Sequence, residues 1–503
     1  MHTIFQKRKV VQVVLLAIAL CLTFSWSPKA SVMAQEDLPR LVYIYPGGAQ
    51  EDLALVQEAM SAYMAERIGA TIELRPIEWG AYNDQIGLIN ASGEPYDIAF
   101  TAPWINNYYT NVTEEYFIPL DDLLAEYAPN YWASMTPETW EAARVGGSIY
   151  GAINQQIFVK PFGPYIRTDI LEAVGLVEEF EALTSYEDLA PILAAVQEYA
   201  DQDDVLTQAT YNLAPLNVAE NWGYDPIAVD LVVDTTDATA QVQIYSQTEA
   251  YRTASQLIRD WYLAGYAPSD VAVWDEMDAA WTAGLYAVRV SDIVKPGGNA
   301  EVAARWGWEV TSVAIAEPVL TTAGVIATLN GVSYTSEHPE LAVAFLELLN
   351  SDPVFYNMLS KGLEGVHWEW ADQDAKLIRP ANGAASFADT GYNPNTDWMF
   401  GNVFNAYYTD VTQVGAWEAT AELNRNARPS PILGFTFDGS AVETELASVS
   451  AVLQEFGNPL GSGLVDVDEG IARLQEELQN AGIEVVRAEM QRQIDEWLAA
   501  KAE

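Results

Sequence analysis

The sequence predicts an α/β protein built from more than one lobe, and three observations predict it. At 503 residues the chain exceeds what one hydrophobic core serves, and half of those residues are apolar, so two or three folded units are expected. Short apolar runs alternate with single amphipathic helical patterns, the pattern of parallel strands joined by crossover helices. That alternation occurs twice, before and after a crossing region near residue 155.

In the first stretch "LVYIYPGG" is a buried strand, residues 51 to 68 an amphipathic helix with Val56, Met60, Tyr63 and Arg67 on one face, and "ATIELRPIE" a second strand. A helix near 80 to 91 leads to the strand "YDIAF". Helices at 120 to 127 and 137 to 143 and a strand at "SIYGAI" bring the chain to "YIRTDILEAVGL", where Thr168 or Asp169 can cap a helix. From 185 to 321, helices at 186 to 200, 249 to 264 and 275 to 283 alternate with strands at "AGLYAVRVS" and "WEVTSVAIA". Ser336 stands as the cap of a helix opened by Pro339, and two amphipathic helices at 466 to 481 and 483 to 500 bury Leu474, Leu478, Ile494 and Trp497.

Residues 1–34 read as a secretion signal: "FQKRK" is a cationic start, "VVQVVLLAIALCLTF" an apolar stretch and "SVMA" a small-residue exit. The alternatives are an uncleaved anchor, or lipid attachment at Cys21, before which Leu20 is bulkier than lipidation prefers. Cleavage after Ala34 removes the only cysteine, and with it disulfides and thiolate chemistry. It leaves 20 basic against 71 acidic residues, a charge of −51. Such a surface repels nucleic acid and keeps the protein dispersed.

The stretch "TAPWINNYY" follows a strand at the carboxyl edge of the predicted sheet, where ligands of open α/β sheets collect. Trp104, Tyr108 and Tyr109 offer ring faces to a pyranose, and Asn106 and Asn107 offer amides to its hydroxyls. Asp97 is a candidate acceptor for vicinal hydroxyls. Trp222 and Tyr224 are the candidates from the second lobe and Trp368 from the crossover region, while Trp79, Trp274, Trp370 and Trp398 also stand beside polar residues. Packing of these rings in the core is the competing role for each. Arg167 suits an acidic ligand group or an ion pair within its lobe. Among 71 acidic residues no glycosidase pair stands out; the G-x-S-x-G elbow, the phosphate loop and histidines at ligand spacing are missing.

Five motifs carry a resemblance: "DIAFTAPWINNYY", "IPLDDLLAEYAPN", "GGSIYGAINQQ" running to "YIRTDILEAVGL", "LAVAFLELLNSDPVFYNMLSKGLEGVHW" and "SPILGFTFDGSAVETELASVSAVLQEF". They resemble the extracellular solute-binding proteins of ABC importers, family 1, of the lipoprotein and oligosaccharide type with an additional C-terminal domain. The resemblance implies a periplasmic-binding-protein-like (type II) two-lobe clamshell. Its expected parts are an N-terminal lobe at 38–154 and 322–366, a C-terminal lobe at 155–321 and 367–432, and an extension at 433–503. It further implies closure on a solute and docking on permease subunits, and the aromatic and amide run at 104–109 points to an oligosaccharide as that solute; the expected protein is a secreted or envelope-held monomer with neither cofactor nor metal. The readings that compete with it are a secreted glycan hydrolase and a surface adhesin.

Overall fold

A computed structural model describes residues 38–269 and 277–501. The signal segment, Cys21 and Trp274 lie outside the described residues. Strand Arg40–Pro46 pairs in parallel with Thr71–Ile77 on one side and Ile98–Thr101 on the other. Helices Leu53–Arg67 and Tyr82–Ser92 make the crossovers. The inner strands Arg40–Pro46 and Ile98–Thr101 are near-continuous buried runs, as in a sheet covered on both faces, whereas the edge strand Thr71–Ile77 alternates.

The sheet is completed from far along the chain. Strand Leu329–Val332 inserts antiparallel between Ile98–Thr101 and Gly151–Ile153. Its approach depends on Gly331, where a Cβ would fall 2.6 Å from the Phe117 ring. Tyr43 donates its hydroxyl to Asn330 Oδ1 at 2.9 Å, and Asn330 Nδ2 donates to Asn154 Oδ1 at 2.8 Å. The backbone N–H of Gly401 donates to the same Asn154 oxygen at 2.9 Å. These bonds tie four distant segments together, although the buried Asn154 Nδ2 finds no protein acceptor.

The second lobe has the strand order Val310–Ser312, Phe162–Arg167, Tyr286–Ile293, Gln208–Thr210 and a core of its own around Ile166, Leu193 and Val288. An antiparallel sheet, Tyr224–Ala228, Leu231–Asp234 and Val242–Ile244, packs with the C-terminal helices Val467–Asn480 and Ile483–Lys501. Leu474, Leu478 and Ile494 lie in that shared core, as the helical spacing requires. The last two helices therefore share one core with that antiparallel sheet.

Three expectations differ from the structure. The resemblance puts 367–432 in the C-terminal lobe, yet within it Tyr392, Met399, Phe400 and Val403 share the first lobe's core with Tyr43 and Phe345. Aromatic packing decides this: Phe400 lies edge-on to Tyr45 at 5.3 Å. The helix Thr168–Val174 has no side-chain cap, because Thr168 pairs with Thr311 and Asp169 with Arg167. Nor does Ser336 cap the helix Pro339–Ser351; its hydroxyl donates to Asp97 instead.

Candidate functional site

Three tryptophans gather at the carboxyl edge of the first sheet. Trp79 sits in the turn just after strand Thr71–Ile77, Trp104 just after Ile98–Thr101, and Trp398 in the turn Asp397–Met399. Trp79 and Trp104 are stacked with centroids 6.3 Å apart, and Trp398 stands 6.0 and 6.2 Å from the two. Phe100 supports Trp104 and Trp398 from beneath, edge-on. Trp104 is 54% exposed and Trp79 38%. The Trp104 indole donates to the Ala327 carbonyl at 2.8 Å. That bond fixes the ring without covering its face, so the cost of ordering it is met before any ligand arrives.

A cavity of about 880 Å³ adjoins this platform. Pro103 and Ile326 line it, and they are the chain neighbours of Trp104 and of the Ala327 that holds it. The opposite walls are Asp225–Ala228 of the second lobe and Ile432–Ser440 with Trp497 of the C-terminal segment. Tyr109 faces the cavity, and burial raises its phenol pKa above the ordinary value, so it acts as a neutral hydrogen-bonding group. The cavity is bounded by both lobes, with more apolar than polar wall and a few directed polar groups, the composition of small-molecule sites.

Three carboxylates reach the cavity wall, and each is engaged. Glu141 accepts from Arg144 at 3.1 Å, Asp225 from Ser430 Oγ at 2.5 Å, and Asp438 from the Ser440 backbone at 3.0 Å. Burial pushes Asp225 up to about 7, with Ser430 and Lys160 opposing and Glu220 assisting. The Arg144 guanidinium is shared with Asp121 and the Gly147 carbonyl.

The remaining sequence candidates divide sharply. Asn107 is exposed, but its side-chain oxygen caps the helix Tyr108–Thr113. Asn106 is buried at φ 42°, donates to the Phe100 carbonyl at 2.8 Å, and shapes the turn that presents Trp104. Tyr108 is wholly buried, its hydroxyl donating to the Ala143 carbonyl. Asp97 precedes strand Ile98–Thr101, at the end away from the tryptophans, where it accepts from the Val42 backbone and Ser336. Trp368 is buried against Trp370 and Tyr407, and its indole donates to the Gly362 carbonyl. Trp222 packs on Tyr186 and Tyr224 on Tyr245, both away from the platform; only the next residues, 225 to 228, line the cavity. Arg167 is taken by Asp169 and lies over Trp308.

Sequence reasoning noted Trp79 and Trp398 beside polar residues but did not choose them for the site. The signal for Trp79 was available, since it follows its strand as Trp104 follows the next.

Residues 431–499 match a family described as a domain of unknown function (DUF3502). A carbohydrate ABC transporter substrate-binding protein of Streptococcus pneumoniae serotype 4 is 26% identical over 476 residues, 92% of each chain. The crystal structure of the N-glycan transport solute binding protein (NgtS) from Streptococcus pneumoniae has a TM-score of 0.80 at 24% identity, covering 92% of this chain and all of the other. In complex with Man5GlcNAc the same protein scores 0.67 at 25% identity, covering 92% of this chain and 99% of the other. In strand order, length and sequence the chain is similar to solute-binding proteins of ABC transporters.

Proposed function

We propose that this chain is the extracellular substrate-binding component of an ABC importer, and that it captures an oligosaccharide by hinge closure and passes it intact to the permease. The observation that carries this reading is the exposed tryptophan platform beside a cavity walled by both lobes. Indole faces stack on the apolar faces of sugar rings, and the hydroxyls and amides around them take the sugar's hydroxyls. Contacts from both lobes exist together only when the lobes close, so ligand shifts the open-to-closed equilibrium by its differential affinity. Support for a hinge comes from the relative, whose structures with and without glycan in their descriptions fit this chain unequally over the same coverage.

Binding rather than turnover is the reading the carboxylates favour. Each acid on the cavity wall already accepts an internal hydrogen bond, whereas a glycosidase needs one acid and one base free to face the glycosidic oxygen. The curated relative's description, a transporter's substrate-binding protein, agrees with this. Work outside the cytoplasmic membrane follows from the same role, with the N-terminal segment as its export signal.

The test is a thermal-shift screen of the mature protein across monosaccharides, neutral oligosaccharides and peptides, with product analysis of every hit. An oligosaccharide that raises the melting temperature and is recovered unchanged supports the proposal. Stabilisation by peptides alone, or cleavage of the sugar, overturns it.

A further inference from the structure

The cavity beside the tryptophans is walled by three parts of the chain, and the third has no assigned role. Its stretch Ile432–Ser440, together with Trp497, falls inside the residues that match the domain of unknown function. We propose that this C-terminal domain is part of the binding site itself: it holds the portion of a neutral oligosaccharide that extends beyond the units stacked on Trp104, and so selects for ligand length. This deepens the oligosaccharide reading above and rests on it.

Continuity is the first ground. Pro103 and Ile326, the chain neighbours of Trp104 and of Ala327, line the cavity, so the platform and the C-terminal wall lie on adjoining surfaces. The wall is also built to stay in place. The Gly434 backbone donates to Thr322 Oγ1 at 2.9 Å, and Gln493 both donates to the Asp438 carbonyl and accepts from its N–H. Gly434 has φ +93°, and a Cβ there would meet Glu141 Cγ at 2.7 Å, so glycine lets the segment close against the first lobe. Thr436 reaches across to the Tyr109 hydroxyl at 3.4 Å.

The chemistry of the wall sets the ligand class. Phe437, Trp497 and Tyr109 supply apolar ring surface, while Thr113, Thr436 and Ser440 supply hydroxyls. Its carboxylates outnumber its one guanidinium, which is already shared among Glu141, Asp121 and Gly147. A uronic-acid chain would meet repulsion there; neutral and N-acetylated sugars would not.

The experiment is titration calorimetry on the mature chain with Man1GlcNAc and Man5GlcNAc, and with short and long maltodextrins and chito-oligosaccharides. Two variants are compared with the wild type. Ser440→Trp fills the cavity mouth from an exposed position, and Trp497→Ala removes a ring from the wall. The expected result is that one series binds with the long member about tenfold tighter than the short, and that both variants weaken the long member about tenfold while leaving the short one within twofold. A wild type that binds without regard to length, or variants that weaken both members equally or neither, overturns the role of the C-terminal domain. A wild type that binds no glycan of any series sinks the oligosaccharide reading instead.

Discussion

Replacing Trp104 with alanine tests the platform directly. Trp104 is 54% exposed. With up to about 250 Å² of indole surface, roughly 130 Å² faces solvent, and a pyranose covering one face removes about half of that. With an equal area on the sugar, about 130 Å² leaves water on stacking, or about 3 kcal/mol at 25 cal/mol per Å². Trp79 and Trp398 retain part of the platform, so the expected loss is nearer ~2 kcal/mol, about thirtyfold in Kd. Calorimetry with the best oligosaccharide of the screen measures it, and Trp104→Phe separates the ring face from the indole bond to Ala327 by keeping most of the loss from appearing. A change below threefold in Trp104→Ala, with the protein still folded by circular dichroism, would refute the stacking argument.

Other outcomes follow from the same geometry. Asp97→Ala strips the Val42 N–H and the Ser336 hydroxyl of their acceptor; it lowers unfolding stability in urea by about 2 kcal/mol while glycan affinity stays within twofold. Burial pushes Asp225 up to about 7 in the folded state, above the ordinary value of roughly 4 for an aspartate. The folded protein then binds more protons than the unfolded chain between those values, so this group's contribution to stability falls as pH rises from about 4 to 7. Asp203 and Asp237, held low by hydrogen bonds, slope the other way; the readout is therefore wild type against Asp225→Asn, whose stability advantage grows over that range in urea titrations. Gly434→Ala combines a left-handed backbone with the contact on Glu141, and it lowers the melting temperature, with a cost of about 1–3 kcal/mol.

Much of the architecture was legible because apolar runs and helical spacing record burial directly. Strand Arg40–Pro46, helix Leu53–Arg67 and the last two helices lie within a few residues of their expected places. The edge argument located Trp104 for a physical reason, since a strand's carboxyl end must hand over to a loop. Periodicity does not encode which distant surface a loop meets. Asn106 and Tyr108 look like ligand contacts in sequence, yet Asn83, Phe100 and Ala143 supply their partners. Trp398 escaped for the same reason: its segment was placed on the other lobe, and only the packing of Phe400 on Tyr45 brings it to the platform.

The strand Leu329–Val332 has a bearing on when, during synthesis, the first lobe can form. It forms the seam between Ile98–Thr101 and Gly151–Ile153, and 175 residues separate it from the nearer of these neighbours. Until the ribosome has delivered it, the first half of the polypeptide holds an unfinished layer with open margins. Pairings between such remote stretches form slowly. The first lobe therefore cannot complete its sheet until residue 332 has been made.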